Sequence, residues 1–304
     1  MDSLNPTTRL IDLMFLGRPR VIATAVLDTP DGALLVDPGP GSCLDTLWRA
    51  LREAGITGRD LHGILLTHIH LDHAGASGAL VREFPHLVVY VHERGAPHLI
   101  DPAKLMASAT RLYGDEMDRL WGEFAPVPAS HVRVLAGGEL LRIGGRELHV
   151  AYTPGHASHH VCYHDHETGI AFVGDTAGIR TGESPYVLPP TPPPDIDIPA
   201  WRMSLAAIRA WSPSGLFLTH FGLKSNVTAH LDLMAEELDV WEGISQGLVN
   251  TAAEHERERR FIERVAARMV DRVGAEDAAG YRAAMSLEHC WMGLARYWTK
   301  RRGT

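Results

Sequence analysis

Within Thr67-His68-Ile69-His70-Leu71-Asp72-His73-Ala74-Gly75, four side chains of metal-ligating type fall inside six consecutive residues, directly after the apolar run Gly63-Ile64-Leu65-Leu66. A run of that kind reads as a short buried strand, so the cluster sits where a strand ends. His68 and His70 lie two apart in an extended segment and point to the same side. Asp72 and His73 follow where the chain turns toward a helix, and can point back into the same space from another direction. A single histidine at a strand end is most simply a polar loop residue; four donors at this spacing are not. Imidazole and carboxylate together suit zinc, and also iron, manganese or nickel.

Such a site needs donors converging from several rigid ends. Three more candidates each close an apolar run: His156 in Thr153-Pro154-Gly155-His156, Asp175 in Val173-Gly174-Asp175-Thr176, and His220 in Leu218-Thr219-His220.

The chain order sets these ends in context. Arg20 to Leu27 and Ala33 to Val36 read as strands joined by a turn with Pro30 and Asp31-Gly32, a hairpin. Asp37-Pro38-Gly39-Pro40-Gly41 breaks regular structure, and Leu44, Leu47, Trp48 and Leu51 then fall at helical spacing with Gly55 as a stop. Strand 62–67 delivers the cluster, His73 to Phe84 reads as one helix, Leu87 to Val91 as a strand, and 94–122 as mixed helical patterns. Short strands are expected near 131–135, 139–143, 146–153, 160–164 and 170–174. The proline-rich stretch 184–199 predicts a stiff loop after Asp175. Pro199 suits the first turn of a helix holding Trp201, Leu205, Ile208 and Trp211. Beyond about residue 226 three amphipathic helices follow without strand signal, carrying Leu231, Met234, Leu238 and Trp241, then Phe261, Val265 and Met269, then Leu287, Trp291, Leu294 and Trp298.

Composition narrows the function. A formal charge of -8, from 29 basic and 37 acidic residues, gives no electrostatic basis for binding a polyanion, so nucleic acid is not an expected partner. Two divalent cations would offset about four of those charges. The 18 histidines are the compositional oddity. Cys43, Cys162 and Cys290 are odd in number and widely spaced, which speaks against a disulfide framework or a thiolate zinc site and fits a reducing cytoplasm. No apolar run approaches the ~18 residues of a membrane span, and the first residues lack a secretory pattern. The expectation is a cytoplasmic protein acting on a small molecule, with no membrane partner and with room for a homodimer.

Taken together, these segments resemble the metallo-β-lactamase fold superfamily of metallohydrolases. Asp37-Pro38-Gly39, the HxHxDH of residues 68–73, the TPGH ending at His156, the GD ending at Asp175 and the TH ending at His220 occur in the family's order across about residues 10–225. His92-Glu93-Arg94-Gly95-Ala96-Pro97-His98 and the TPPPDID segment also look like a prokaryotic subgroup of poorly defined substrate. The resemblance implies an α+β fold, a four-layer αββα sandwich over residues 1–225, with residues 226–304 as an all-helical extension capping or flanking the site. It implies two divalent metal ions, zinc first, with iron or manganese as alternatives. His68, His70 and His156 would hold one, and Asp72, His73 and His220 the other. Asp175 would bridge them, and Asp37 would orient a ligand histidine rather than bind metal. Asp72 and Asp175 become the catalytic carboxylates, serving a metal-bridging hydroxide that attacks an ester-like bond.

Within that superfamily the substrate is less constrained. The best-known zinc β-lactamases have Arg where this chain has His73 and Cys where it has Asp175, so penicillin hydrolysis is not the expectation. Lactonases of the family carry a Tyr soon after the bridging Asp; here Thr176-Ala177-Gly178-Ile179-Arg180 has none, and Tyr186 is the nearest. Tyr186, Arg180 and Lys224 are the candidates for substrate contacts, with packing or surface roles as the plainer alternative. Helices after the metal-binding body resemble glyoxalase II and related thioesterases. A hydrolase of esters, thioesters or lactones is the expectation. The alternatives are a mononuclear iron persulfide dioxygenase, phosphotriesterase or weak β-lactamase side activity, and a non-catalytic metal-stabilised binding protein.

Overall fold

The computed structural model describes residues 1–302. Its first sheet has seven strands whose spatial order follows the chain: β1 (Asp2–Asn5), β2 (Thr8–Asp12), β3 (Ala23–Thr29), β4 (Gly32–Val36), β5 (Leu61–Leu65), β6 (Val88–His92) and β7 (Val132–Leu135). The pairs from β1 to β4 are antiparallel and those from β4 to β7 parallel. Crossovers between the parallel strands carry the helices α1 (Leu44–Glu53), α2 (Leu71–Ala74), α3 (Ser77–Glu83), α4 (Ala96–Ile100), α5 (Ala103–Tyr113) and α6 (Met117–Trp121).

The second sheet runs β13-β12-β11-β10-β9-β8. It is built from β8 (Leu140–Ile143), β9 (Arg146–Tyr152), β10 (Val161–Asp165), β11 (Ile170–Phe172), β12 (Gly215–Leu218) and β13 (Gly222–Lys224). Only β11 and β12 pair in parallel, across the proline-rich loop and α7 (Ile198–Ala210). Three long helices follow: α8 (Val227–Thr251), α9 (Glu254–Ala284) and α10 (Leu287–Arg302).

Side-chain alternation explains the layering, because successive residues of a strand face opposite sides. Ala25 and Leu27 of β3, Leu34 and Val36 of β4, and Leu65 meet Val161 and Tyr163 of β10, Phe172 of β11 and Phe217 of β12 in an apolar layer between the sheets. The intervening Val26, Leu35 and Ile64 pack instead under α1 and α3, with Leu47, Leu51 and Leu80. On the far side Cys162, Ala171, Leu216 and Leu218 pack under α7 and the long helices, with Trp201, Trp241, Phe261 and Trp291. The order of layers is therefore helix, sheet, sheet, helix, as the resemblance implies.

The three C-terminal helices do not hold a core of their own. They share one apolar cluster with α7 and the outer face of the second sheet. Trp201 and Trp241 are wholly enclosed there, and truncating such a side chain costs about 3–5 kcal/mol.

Two local expectations change. The single helix over 73–84 is two, α2 and α3, because the Ala76 amide donates to the Gly39 carbonyl at 2.8 Å instead of continuing the first turn. That bond ties the helix after the histidine cluster to the Asp37-Pro38-Gly39 turn. The sequence does not predict the β1–β2 hairpin at the sheet edge, since β1 carries no apolar run and none of its residues is fully buried. Among the described residues no helix is long and apolar enough to cross a membrane.

Candidate metal centre

The donors sit where several strands end. The loop after β5 carries His68 and His70, and α2 begins at once, presenting Asp72 and His73 in its single turn. His156 follows β9, Asp175 follows β11 and His220 follows β12. Gly174, just before Asp175, has φ +45, and a Cβ there would stand 2.5 Å from Thr67 Oγ1 and 2.7 Å from His160 Nε2. Only glycine lets the two sheets approach this closely at the site.

All seven expected donors converge. Three groups of donor atoms lie within 4.8 Å of one another: His68, His70 and His156; His68, His73 and Asp175; Asp72, His73 and His220. His70 Nδ1 stands 3.0 Å from His68 Nε2 and 2.9 Å from His156 Nε2. Asp175 turns Oδ2 toward His156 Nε2 at 3.3 Å and Oδ1 toward His73 Nε2 at 3.4 Å and His220 Nε2 at 3.5 Å. Asp72 Oδ2 is 3.3 Å from His220 Nε2 and 3.8 Å from His73 Nε2. Donors held about 2.0–2.1 Å from one tetrahedral ion stand ~3.3 Å apart, so the spacing fits two ions with Asp175 between them. The polar inventory fits as well. His73 Nε2, His220 Nε2 and Asp175 Oδ1 are buried and have no hydrogen-bond partner, a costly arrangement unless something else satisfies them.

The opposite ring nitrogens are occupied. His73 Nδ1 donates to Asp37 Oδ2 at 2.8 Å, His156 Nδ1 to the Pro190 carbonyl at 2.8 Å and His220 Nδ1 to the Val21 carbonyl at 2.7 Å. Each bond fixes the tautomer and leaves Nε2 as a donor lone pair, which is how ligating imidazoles are oriented. Asp37 is wholly buried, with φ 50. It also accepts from Thr67 N at 2.8 Å, Thr67 Oγ1 at 2.7 Å and Thr219 Oγ1 at 2.8 Å, joining the ends of β4, β5 and β12. Thr67 and Thr219 are bond partners not expected among the site residues, and their signal in the sequence is the Thr-His pair that ends both strands.

Charge in the pocket is finely opposed. Burial pushes the His68 imidazole well below its ordinary range, with neighbouring imidazoles adding to it, and burial with His156 takes His70 down to about 4. At His73 burial opposes protonation, yet Asp175, Asp72 and Asp37 hold it well above the ordinary value. His220 goes up against burial for the same reason, through Asp175 and Asp72. Burial works against charge on Asp72, but His73 and His220 draw it down to about 2. The carboxylates thus call for positive charge beside them, which protons or a bound cation can supply.

A cavity of about 280 Å³ opens over the donors and is lined by His70, Asp72 and Asp175. Its apolar side comes from Leu105, Leu112 and Tyr113 of α5, Trp121 of α6 and Met285. Burial, and then Asp72, raise the Tyr113 phenol, which stays protonated.

The candidates for substrate contact lie elsewhere. The chain folds back on itself between Ile179 and Leu188, turning Tyr186 into the helical core against Tyr281 at 5.2 Å. Arg180 donates to the Glu183 carbonyl at 2.7 Å, and Lys224 reaches Glu183 Oε1 at 3.3 Å. None of the three lines the cavity. The proline-rich loop reaches it through Pro192, Pro193, Pro194 and Asp195 instead, and Arg94 and Lys104 supply its cations.

Histidines near the cluster divide the same way. His160 is buried beside Thr153 and Thr176, and its Nε2 accepts the Asp175 amide at 3.2 Å. His164, on the outer face of the second sheet, stacks on Trp211 at 5.4 Å.

Comparison with known proteins agrees with this architecture. A hydroxyacylglutathione hydrolase of Aeromonas salmonicida is 34% identical over 144 residues, 47% of this chain and 41% of that protein. The match thus spans about two fifths of the relative's own length. The crystal structure of an archaeal metallo-beta-lactamase superfamily protein from Sulfolobus tokodaii superposes with TM-score 0.60 at 26% identity, covering 77% of this chain and 86% of the other. A metallo-beta-lactamase family protein from Thermus thermophilus gives TM-score 0.71 at 20% identity over 99% of this chain and 95% of its own, a likeness of fold that takes in the helical region. The family profile described as Metallo-beta-lactamase superfamily matches residues 17–221, and the chain belongs to that superfamily.

Proposed function

We propose that this protein is a metal-dependent hydrolase of an ester-like bond, with a thioester as the first choice. The proposed ligands are His68, His70 and His156 for one divalent ion and Asp72, His73 and His220 for the other, with Asp175 shared. One observation carries the proposal: the orphaned Nε2 atoms of His73 and His220 face the equally orphaned Oδ1 of Asp175, a residue that with Asp72 lines a substrate-sized cavity. The N and O donor set, without thiolate, suits zinc, and also iron or manganese.

A divalent pair bound at such a site supplies activation of water near neutral pH and polarisation of the scissile carbonyl. The chain's own residues do the rest. Asp37, the Pro190 carbonyl and the Val21 carbonyl hold the ligand rings in register. Asp72, with 15% of its side chain exposed against 2% for Asp175, is the more open of the two carboxylates that line the cavity. It is placed to accept a proton from the attacking water and return it to the leaving group. The apolar side of the cavity excludes bulk water and seats an acyl group. The thioester choice is supported by the relatives named hydroxyacylglutathione hydrolase, which match about half of this chain.

The test is a panel of thioesters, lactones, phosphotriesters and β-lactams on metal-quantified protein, with oxygen uptake followed in parallel. Hydrolysis of a thioester or ester that is lost on chelation and on Asp175→Ala substitution is expected. Oxygen consumption by protein holding one iron, or turnover indifferent to chelation, overturns the proposal.

A further inference from the structure

His159 is a buried histidine at the cavity that the proposed ligand set does not use. Its ring lies parallel to that of His68 at 6.1 Å and perpendicular to that of His70 at 5.5 Å. The Ile69 amide donates to its Nδ1 at 3.5 Å, so the neutral ring carries its proton on Nε2. That Nε2 has no hydrogen-bond partner among the described residues, and it is not one of the sealed orphan atoms, as His73 Nε2 and His220 Nε2 are. It is therefore reached through the cavity. The nearby lining is polar, with Arg94, His98 and Ser158; among the described residues Arg94 forms no ion pair and rests over the Tyr152 ring at 5.5 Å. Lys104 and Ser108 of α5 and Asp195 add further polar groups, while Leu105, Leu112 and Tyr113 of α5, Trp121 of α6 and Met285 form a hydrocarbon and aromatic face. A substrate seated between them meets a hydrogen-bond donor close to the His70 end and an apolar surface beyond.

We propose that His159 selects the acyl part of the substrate, donating its Nε2–H to an oxygen on the second or third carbon of the chain while α5 and α6 hold a hydrocarbon tail. The favoured substrates are acyl thioesters or esters polar next to the scissile carbonyl and apolar further out, which rests on the hydrolase reading above. A site built to hydrogen-bond a substrate oxygen rejects the analogue that lacks it, because the donor is then left unpaired. His159 is in this sense a specificity-determining residue and not a metal ligand.

The test compares decanoyl, 2-hydroxydecanoyl and 3-hydroxydecanoyl thioesters of one thiol on the metal-loaded native chain, His159→Phe and His159→Gln. The native chain should favour one hydroxyacyl substrate by about 10-fold or more in kcat/KM. His159→Phe should bring that ratio to within about 2-fold, His159→Gln should restore part of it through its amide N–H, and both should bind as much metal as the native chain. Calorimetric affinities for ketone analogues, with a methylene in place of the thioester sulfur, should show the same preference and the same loss. A native ratio near one, a ratio that survives His159→Phe, or loss of metal from that variant overturns the inference. If the native chain turns over no ester or thioester, the hydrolase reading fails separately, and the calorimetric preference alone decides the role of His159.

Discussion

Asp37 shows how much one side chain can organise. Its carboxylate takes bonds from four donor groups on three residues, Thr67, Thr219 and His73, in a space closed to water. Asp37→Ala leaves those donors buried without an acceptor, at about 1–3 kcal/mol for each group that finds no new partner, and frees the His73 ring. Denaturant unfolding should show a loss of about 2–4 kcal/mol, and competition with a chelator a metal affinity about 10–100-fold weaker. His230 makes a different prediction. Burial pushes its imidazole down to about 4 from the ordinary 6.5, and its Nε2 donates to the Ala177 carbonyl at 2.8 Å. The folded protein refuses a proton that the unfolded chain accepts below pH 6.5. Its contribution is complete above pH 6.5 and is lost as pH falls toward 4, amounting to ~3 kcal/mol. Subtracting the pH–stability profile of His230→Gln from that of the native chain, both metal-free, isolates this term; a difference that is flat between pH 4 and 7 refutes it.

Among the elements, α10 and the proline-rich loop show where sequence reading stops. A Cβ on Gly293 of α10 would stand 2.0 Å from the Thr191 carbonyl oxygen, so helix and loop touch backbone to backbone. Cys290 adds its carbonyl to that seam, accepting from Thr191 Oγ1 at 3.2 Å. Gly293→Val should cost about 1–3 kcal/mol in denaturant unfolding. Because the loop lines the cavity through Pro192 to Asp195, KM should rise with bound metal unchanged; an unchanged KM separates the loop from substrate binding. The donors themselves were legible in the sequence because each stands at the end of an apolar run with its own Gly, Pro or Thr signature, and local pattern is what sequence displays. Strands β3 to β12, α1, α7 and the three long helices were legible for the same reason, whereas β1, β2 and β13 carry too little apolar pattern to be read. The cavity lining was not. Tyr186 follows Asp175 closely in the chain, but tertiary folding of 179–188 sends it into the helical core, while Tyr113 and Trp121 arrive from a segment whose helices are short and weakly patterned. His159 and His160 share one motif, yet only the structure separates the ring beside the Asp175 amide from the one at the cavity.

For the molecule as a whole, the centre is a joint between the two sheets. His68, His70, Asp72 and His73 come from the first sheet's crossover, and His156, Asp175 and His220 from the ends of second-sheet strands. Whatever cation occupies it binds the folded chain in preference to the unfolded one, and so stabilises the whole sandwich in proportion to its affinity, by about 4 kcal/mol at a thousandfold excess over Kd. It also offsets part of the -8 formal charge. The most direct measurement is titration of the metal-free chain with zinc, reading bound metal per chain and Tm together. Two equivalents with a rise in Tm at saturation, and a lower stoichiometry in Asp175→Ala, are predicted. Saturation at one equivalent or none, or two equivalents retained by Asp175→Ala, contradicts a shared dinuclear centre.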